Sequence, residues 1–152
     1  NNFEHNLALK GSLFASKYFN TKAVRDALHI KGSTPFIFCN HDMWRAYKTG
    51  PKGSVWVWKY FRNSGIRMLF FSGDTDGIVP TLGTKRWIRN LGRKKSSNWR
   101  PWFTRGQVSG FTEQYKGGFT FVTVKGVGHM SPQWAREPVF NMMNKWLQNK
   151  KI

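Results

Sequence analysis

The residues best suited to chemistry sit in two short turns. The first, Asp74-Thr75-Asp76, contains two of only seven acidic residues in a chain of 152. The second is Gly126-Val127-Gly128-His129. An imidazole can take a proton from a nucleophile and later return it to a leaving group. A buried carboxylate beside it selects the useful tautomer and stabilises the imidazolium that forms. An acid and a histidine are therefore two thirds of a Ser-His-Asp apparatus. Asp76 is the expected partner of His129. Asp74, closer to the preceding apolar run, is expected to shape the turn by hydrogen bonding. Taken singly, Gly-Asp-x-Asp would only brace a tight turn, and a lone loop histidine would be an ordinary polar residue. The argument rests on the elements that carry the two turns.

Ile66–Phe71 is short, apolar and bounded by Gly65, as suits a buried parallel strand. Ser72–Val79 reads as a turn. Pro80 suits the first turn of a helix that runs to about Leu91 and stops at Gly92. Arg93–Arg100 reads as a basic, serine-containing linker. Gln107–Tyr115 and Phe119–Lys125 read as a hairpin turned by Lys116-Gly117-Gly118. The glycine-rich loop 126–132 follows, then a last helix from near Pro138 whose apolar face is Val139, Met143, Trp146 and Leu147. Upstream, residues 1–19 give no clear assignment. Asn20-Thr21 reads as an N-cap for a helix bearing Ala23, Val24, Ala27 and Leu28. Residues 31–53 read as mostly loop with a short helix near Met43–Tyr47, and Ser54–Ser64 as an amphipathic helix.

The order strand, acid, helix, strand, histidine, helix indicates an α/β class. It is also the order in which α/β-hydrolases present the last two members of their triad. In open α/β sheets, sites form at the carboxyl ends of strands, where both turns fall. The nucleophile is missing. No Gly-x-Ser-x-Gly elbow occurs, and Gly11-Ser12, Gly32-Ser33 and Gly53-Ser54 lack its spacing. Ser131 lies two positions past His129, outside any strand-to-helix elbow. Too few buried strands are present for a full central sheet, so completion by a further polypeptide is expected.

The same residues resemble the serine carboxypeptidases from about Tyr18 to Leu147. Tyr18–His29 is similar to the segment after the family's variable insertion. Cys39-Asn40 resembles a Trp-x-x-Cys-Asn/Ser element, with Phe36 in the tryptophan position. Gly65–Pro80 resembles the aspartate motif, Gln107–Phe111 and Thr120–Val124 the family's hairpin, and Gly126–Pro132 the histidine motif. The resemblance implies the C-terminal part of an α/β-hydrolase fold, with residues 1–152 as one portion of a single domain and an N-terminal chain completing it. It implies Asp76 and His129 as catalytic residues and a nucleophilic serine on that other chain. It implies that Met130 lines the leaving-group subsite and favours an apolar C-terminal residue. It also implies that Cys39 pairs with a cysteine of the missing part, and a vacuolar, lysosomal or secreted location. Ser131-Pro132, where Val-Pro is more usual, and the strong positive charge depart from the family pattern.

The charge is lopsided, with 25 Lys and Arg against 7 Asp and Glu for a net +18. Such a balance suits nucleic acid, membrane surfaces or acidic partners, or simply keeps a surface soluble. Residues 85–100 hold seven Lys or Arg, interleaved with Trp87 and Trp99. A solvated helix face followed by a linker is the preferred reading over a nucleic-acid site. The lone Cys39 is expected to be buried or paired with another chain. Cys39, His41 and Asp42 lack the second ligand pair of a zinc site, and no metal or cofactor is expected. No apolar run reaches membrane-spanning length, and no signal peptide is expected in the opening residues. An acyltransferase or hydroxynitrile lyase on the same fold would use the same acid–histidine pair. A non-catalytic basic subunit is the remaining alternative.

Overall fold

A computed structural model describes residues 2–50 and 53–152, with the backbone alone for residues 2–10. The chain divides into two compact units at residue 50.

In the first unit, helices α1 (Asn2–Phe19), α2 (Lys22–Ala27) and α3 (His41–Ala46) are joined by irregular segments. The stretch 1–19, unassigned by pattern, is helical from residue 2. Thr21 rather than Asn20 holds the N-cap position of α2, and its hydroxyl turns back to the Tyr18 carbonyl at 2.8 Å. Asn20 instead clamps the 31–40 segment. Its Nδ2 donates to the Phe36 carbonyl at 2.8 Å, and its Oδ1 accepts from the Phe36 N–H at 2.7 Å. Asn40 caps α3 by accepting from the Met43 N–H at 2.9 Å, as a short polar side chain at that position should. None of residues 11–50 is buried. Cys39, expected to be buried or bonded, is an exposed free thiol in this chain.

The second unit is built on one sheet. Helix α4 (Val55–Tyr60) and a 3-10 turn (Phe61–Asn63) lead into β1 (Met68–Gly73), α5 (Thr81–Asn90), β2 (Lys95–Thr104), β3 (Gln107–Tyr115) and β4 (Phe119–Val124). Helices α6 (Ser131–Trp134) and α7 (Arg136–Leu147) follow. The strand order is β1-β4-β3-β2, with β1 and β4 parallel and the other pairs antiparallel. Strand β4 is hydrogen-bonded on both sides, and all six of its residues are buried. Its alternation divides the core. Phe119 and Phe121 pack with Met68, Ile88 and Tyr115 on the side of α5. Val122 and Val124 pack with Trp102, Val139 and Met142 on the side of α7. Helix α7 buries Val139 and Met142, while Leu147, expected on the apolar face, is 60% exposed.

Most of the expected linker 93–100, from Lys95 onward, is instead the start of β2. Its Lys, Ser and Asn content and Pro101 hid it. Among the described strands β2 pairs only with β3, and an edge position tolerates charge and a proline that cannot donate. The β2–β3 connection likewise lacks the usual local signal. Arg105 and Gly106 both have positive φ (48° and 76°) between the paired Thr104 and Gln107, which is the two-residue turn usually signalled by Asn-Gly.

Phe121 is fully buried and meets both Phe70 and Trp99. Phe121→Ala is expected to cost about 3–5 kcal/mol, read from the denaturant midpoint of the complete protein.

Candidate active site

Parallel pairing of β1 and β4 puts their carboxyl ends side by side, with Gly73 opposite Val124. The acid turn and the histidine turn leave the sheet there as neighbours. They are laced together by backbone and side chain. The Asp74 N–H donates to the Val124 carbonyl at 3.0 Å, and the Thr75 N–H to the Val127 carbonyl at 3.2 Å. Asp74 Oδ1 accepts from the Gly126 N–H at 2.7 Å, so this acid does shape the turn. The Thr81 hydroxyl, in the first turn of α5, donates to the Gly73 carbonyl at 3.0 Å. The Ser131 hydroxyl is buried and donates to the Gly128 carbonyl at 2.8 Å, closing the loop after His129.

This frame brings Asp76 and His129 together. Asp76 Oδ2 lies 2.9 Å from His129 Nδ1. Asp76 Oδ1 accepts from the Ile78 and Val79 N–H groups at 2.8 and 2.9 Å. The Asp76 side chain is 6% exposed and that of His129 is 54% exposed. The acid is thus packed and fully hydrogen-bonded, whereas much of the imidazole is open. The Val79 N–H and the imidazole, with a further contribution from Ile78, hold the Asp76 carboxyl below the usual carboxylate value, against the opposing effect of burial. An ionised Asp76 can only accept, so Nδ1 carries the proton and Nε2 presents a lone pair. Nε2 has no hydrogen-bond partner among the described residues. The arrangement can hold a base in one tautomer and receive a proton from a third group. Met130 follows directly and is 53% exposed.

Sequence pattern points to Asp76 and His129 but not to the residue that lets their turns approach. A Cβ on Gly73 would fall 2.2 Å from the Val127 carbonyl oxygen and 2.3 Å from that of Gly128. At Gly128, directly before His129, a Cβ would meet nothing nearer than 3.7 Å. The available signal was the placement of Gly73 at the strand end, immediately before the acids.

Asp76→Asn tests the carboxylate's contribution to stability. Its folded pKa lies below the ordinary 3.8. The stability it adds is therefore fully present above that value and is lost as pH falls through the lower folded value. The melting temperature of Asp76→Asn should lie below wild type near neutrality. The gap should begin to narrow as pH drops below about 4 and vanish below the lower folded value.

Comparison with known proteins sets this geometry in context. Residues 3–149 match the family model described as serine carboxypeptidase. The chain belongs to the serine carboxypeptidase family. Serine carboxypeptidase-like 17 of Arabidopsis thaliana is 40% identical over 140 residues, covering 90% of this chain and 31% of that protein. Serine carboxypeptidase 1 of Hordeum vulgare is 35% identical over 141 residues, covering 91% and 28%. The crystal structure of a prohormone-processing carboxypeptidase from Saccharomyces cerevisiae superposes with a TM-score of 0.65 at 24% identity, over 90% of this chain and 31% of that one. The fold is thus part of an α/β-hydrolase, and the chain spans less than a third of the length of these relatives. No helix among the described residues is long and apolar enough to cross a membrane.

Proposed function

We propose that this chain is the C-terminal portion of a single α/β-hydrolase domain and that the complete protein is a serine-type carboxypeptidase. The observation that carries this is the 2.9 Å contact between Asp76 Oδ2 and His129 Nδ1, with Nε2 left to face a nucleophile. Membership of the serine carboxypeptidase family supports the reaction class. Serine from the N-terminal portion attacks the last peptide bond. His129 takes its proton and passes it to the departing amine, and Asp76 holds the imidazole and balances its transient charge. Met130 borders the leaving residue, where a flexible thioether suits an apolar side chain.

The need for a further polypeptide is supported by unsatisfied surface. Strand β1 pairs on one side only among the described strands, leaving a row of backbone groups free. Leu13, Phe14, Phe38, Trp44 and Tyr47 of the first unit are all more than half exposed. Patches of that kind are ordinarily covered. Exposed Cys39 is open to a disulfide with the covering portion. A vacuolar, lysosomal or secreted location accords with such a bond.

The assay is a blocked dipeptide offered to the complete protein. Release of the free C-terminal residue is the expected result. Acyl transfer to an alcohol or cyanohydrin cleavage without that release would replace the proposal with another reaction on the same fold.

A further inference from the structure

The excess of positive charge is not spread evenly. On α5, Leu82, Lys85, Arg86 and Arg89 recur at helical spacing and form one stripe. That stripe borders a cavity of about 630 Å³ completed by Arg93, Lys95, Trp99, Glu113 and Tyr115. The volume is that of a pocket for a small organic ligand. Five cationic side chains line it against a single carboxylate. That carboxylate is already engaged. Glu113 is 4% exposed, pairs with Lys95 Nζ at 2.8 Å and accepts from the Tyr115 hydroxyl. Lys85 Nζ sits 3.7 Å over the Trp99 ring, held by the aromatic face rather than by an acid. Arg93 is buried and fixed by donation to the Trp58 carbonyl at 2.6 Å, with no acidic partner among the described residues. Arg86 and Arg89 have neither an acid nor a carbonyl partner among the described residues.

A basic surface kept for solubility would space these charges apart, because like charges around one concavity repel. A cleft lined by one sign of charge concentrates the field and draws in counter-ions. Two of the five, Arg86 and Arg89, are arginines whose planar forks are not committed to other described residues, and such forks meet tetrahedral oxyanions through paired hydrogen bonds. Leu82 and Trp99 add apolar wall, and Tyr115 completes the lining. We propose that this cavity, between α5 and the β2–β3 hairpin, is a binding site for a ligand bearing clustered phosphate groups. It shares no residue with the Asp76–His129 pair, and it stands or falls independently of the peptidase reading.

The test is calorimetric titration of the complete protein with inorganic tripolyphosphate. Saturable binding near 1:1 is expected, weakened tenfold or more by Arg86→Gln/Arg89→Gln. Lys150→Gln/Lys151→Gln removes the same charge from the C-terminal tail and should leave binding within twofold. Absence of saturable binding overturns the proposal. So does equal weakening by both double variants, which would mean diffuse attraction to net charge. Displacement by hexaglutamate at equal concentration also overturns it, since the arginine forks would then show no preference for phosphate. Sedimentation with vesicles containing a phosphoinositide, against phosphatidylcholine vesicles, separates the sources. Capture together with tripolyphosphate binding assigns a lipid headgroup, and tripolyphosphate binding alone assigns a soluble ligand.

Discussion

His129→Ala should lower kcat/KM on a blocked dipeptide by roughly 10⁴-fold or more in the complete protein, the scale seen when a triad loses its base. The fold should be nearly untouched, because the imidazole is 54% exposed and leaves no sealed cavity. Melting temperature and rate are therefore separable readouts. Asp76→Asn should cost a comparable factor for a different reason. The amide oxygen can still accept from the Ile78 and Val79 N–H groups, but the NH₂ faces Nδ1 and forces the proton onto Nε2. The imidazole then points a donor where an acceptor is needed. The two side chains act as a unit, so the double variant should be little worse than His129→Ala alone. A loss under tenfold, or losses that multiply, would remove the pair from the chemistry.

Gly73→Ala should be the most damaging single-methyl change near the site. The new Cβ would lie 2.2 and 2.3 Å from the carbonyl oxygens of Val127 and Gly128. Ordinary carbon–oxygen contacts are about 3.3 Å or longer, so the histidine turn must retreat by about 1 Å. Both clashing atoms are backbone, and no side-chain rotation relieves them. The retreat breaks the bond from the Thr75 N–H to the Val127 carbonyl and carries His129 away from Asp76. A misplacement of that size costs about 10²-fold in rate. The forced fit should also lower stability by about 1–3 kcal/mol. Gly83→Ala is the matched control. It lies within α5 with nothing within 4 Å of its Cβ, and should leave the rate unchanged while raising stability by up to about 1 kcal/mol. Equal behaviour of the two variants in rate would mean that the close approach at Gly73 does not position the pair.

Much of this molecule was legible before any coordinates. The apolar run before Asp74, the Gly-Gly turn and the strand–acid–helix–strand–histidine order are local patterns, and each specifies its element through short-range constraints. Those elements put Asp76 and His129 each just past the carboxyl end of a strand; that the two ends are neighbours follows from the parallel pairing of β1 with β4. Other features had no local signature. The stretch from Lys95 became an edge strand only because β3 offers a partner, and its basic residues and Pro101 argue against it locally. Asn20 took the N-cap pattern but serves the Phe36 backbone sixteen positions away. The need for glycine at position 73 arises from the carbonyls of residues 127 and 128, distant in the chain and invisible to any window of sequence.

The distribution of charge shows the same division. Composition by itself determined that the chain is strongly basic, and the motif residues determined its family and the pair most apt for proton transfer. Only the tertiary structure decided that five of those cations surround one cavity while the acids among the described side chains are drawn into turns and pairs. Residue types carry chemistry, but a site needs several of them within a few ångströms. That proximity is set by which strand pairs with which and how closely their backbones can pass.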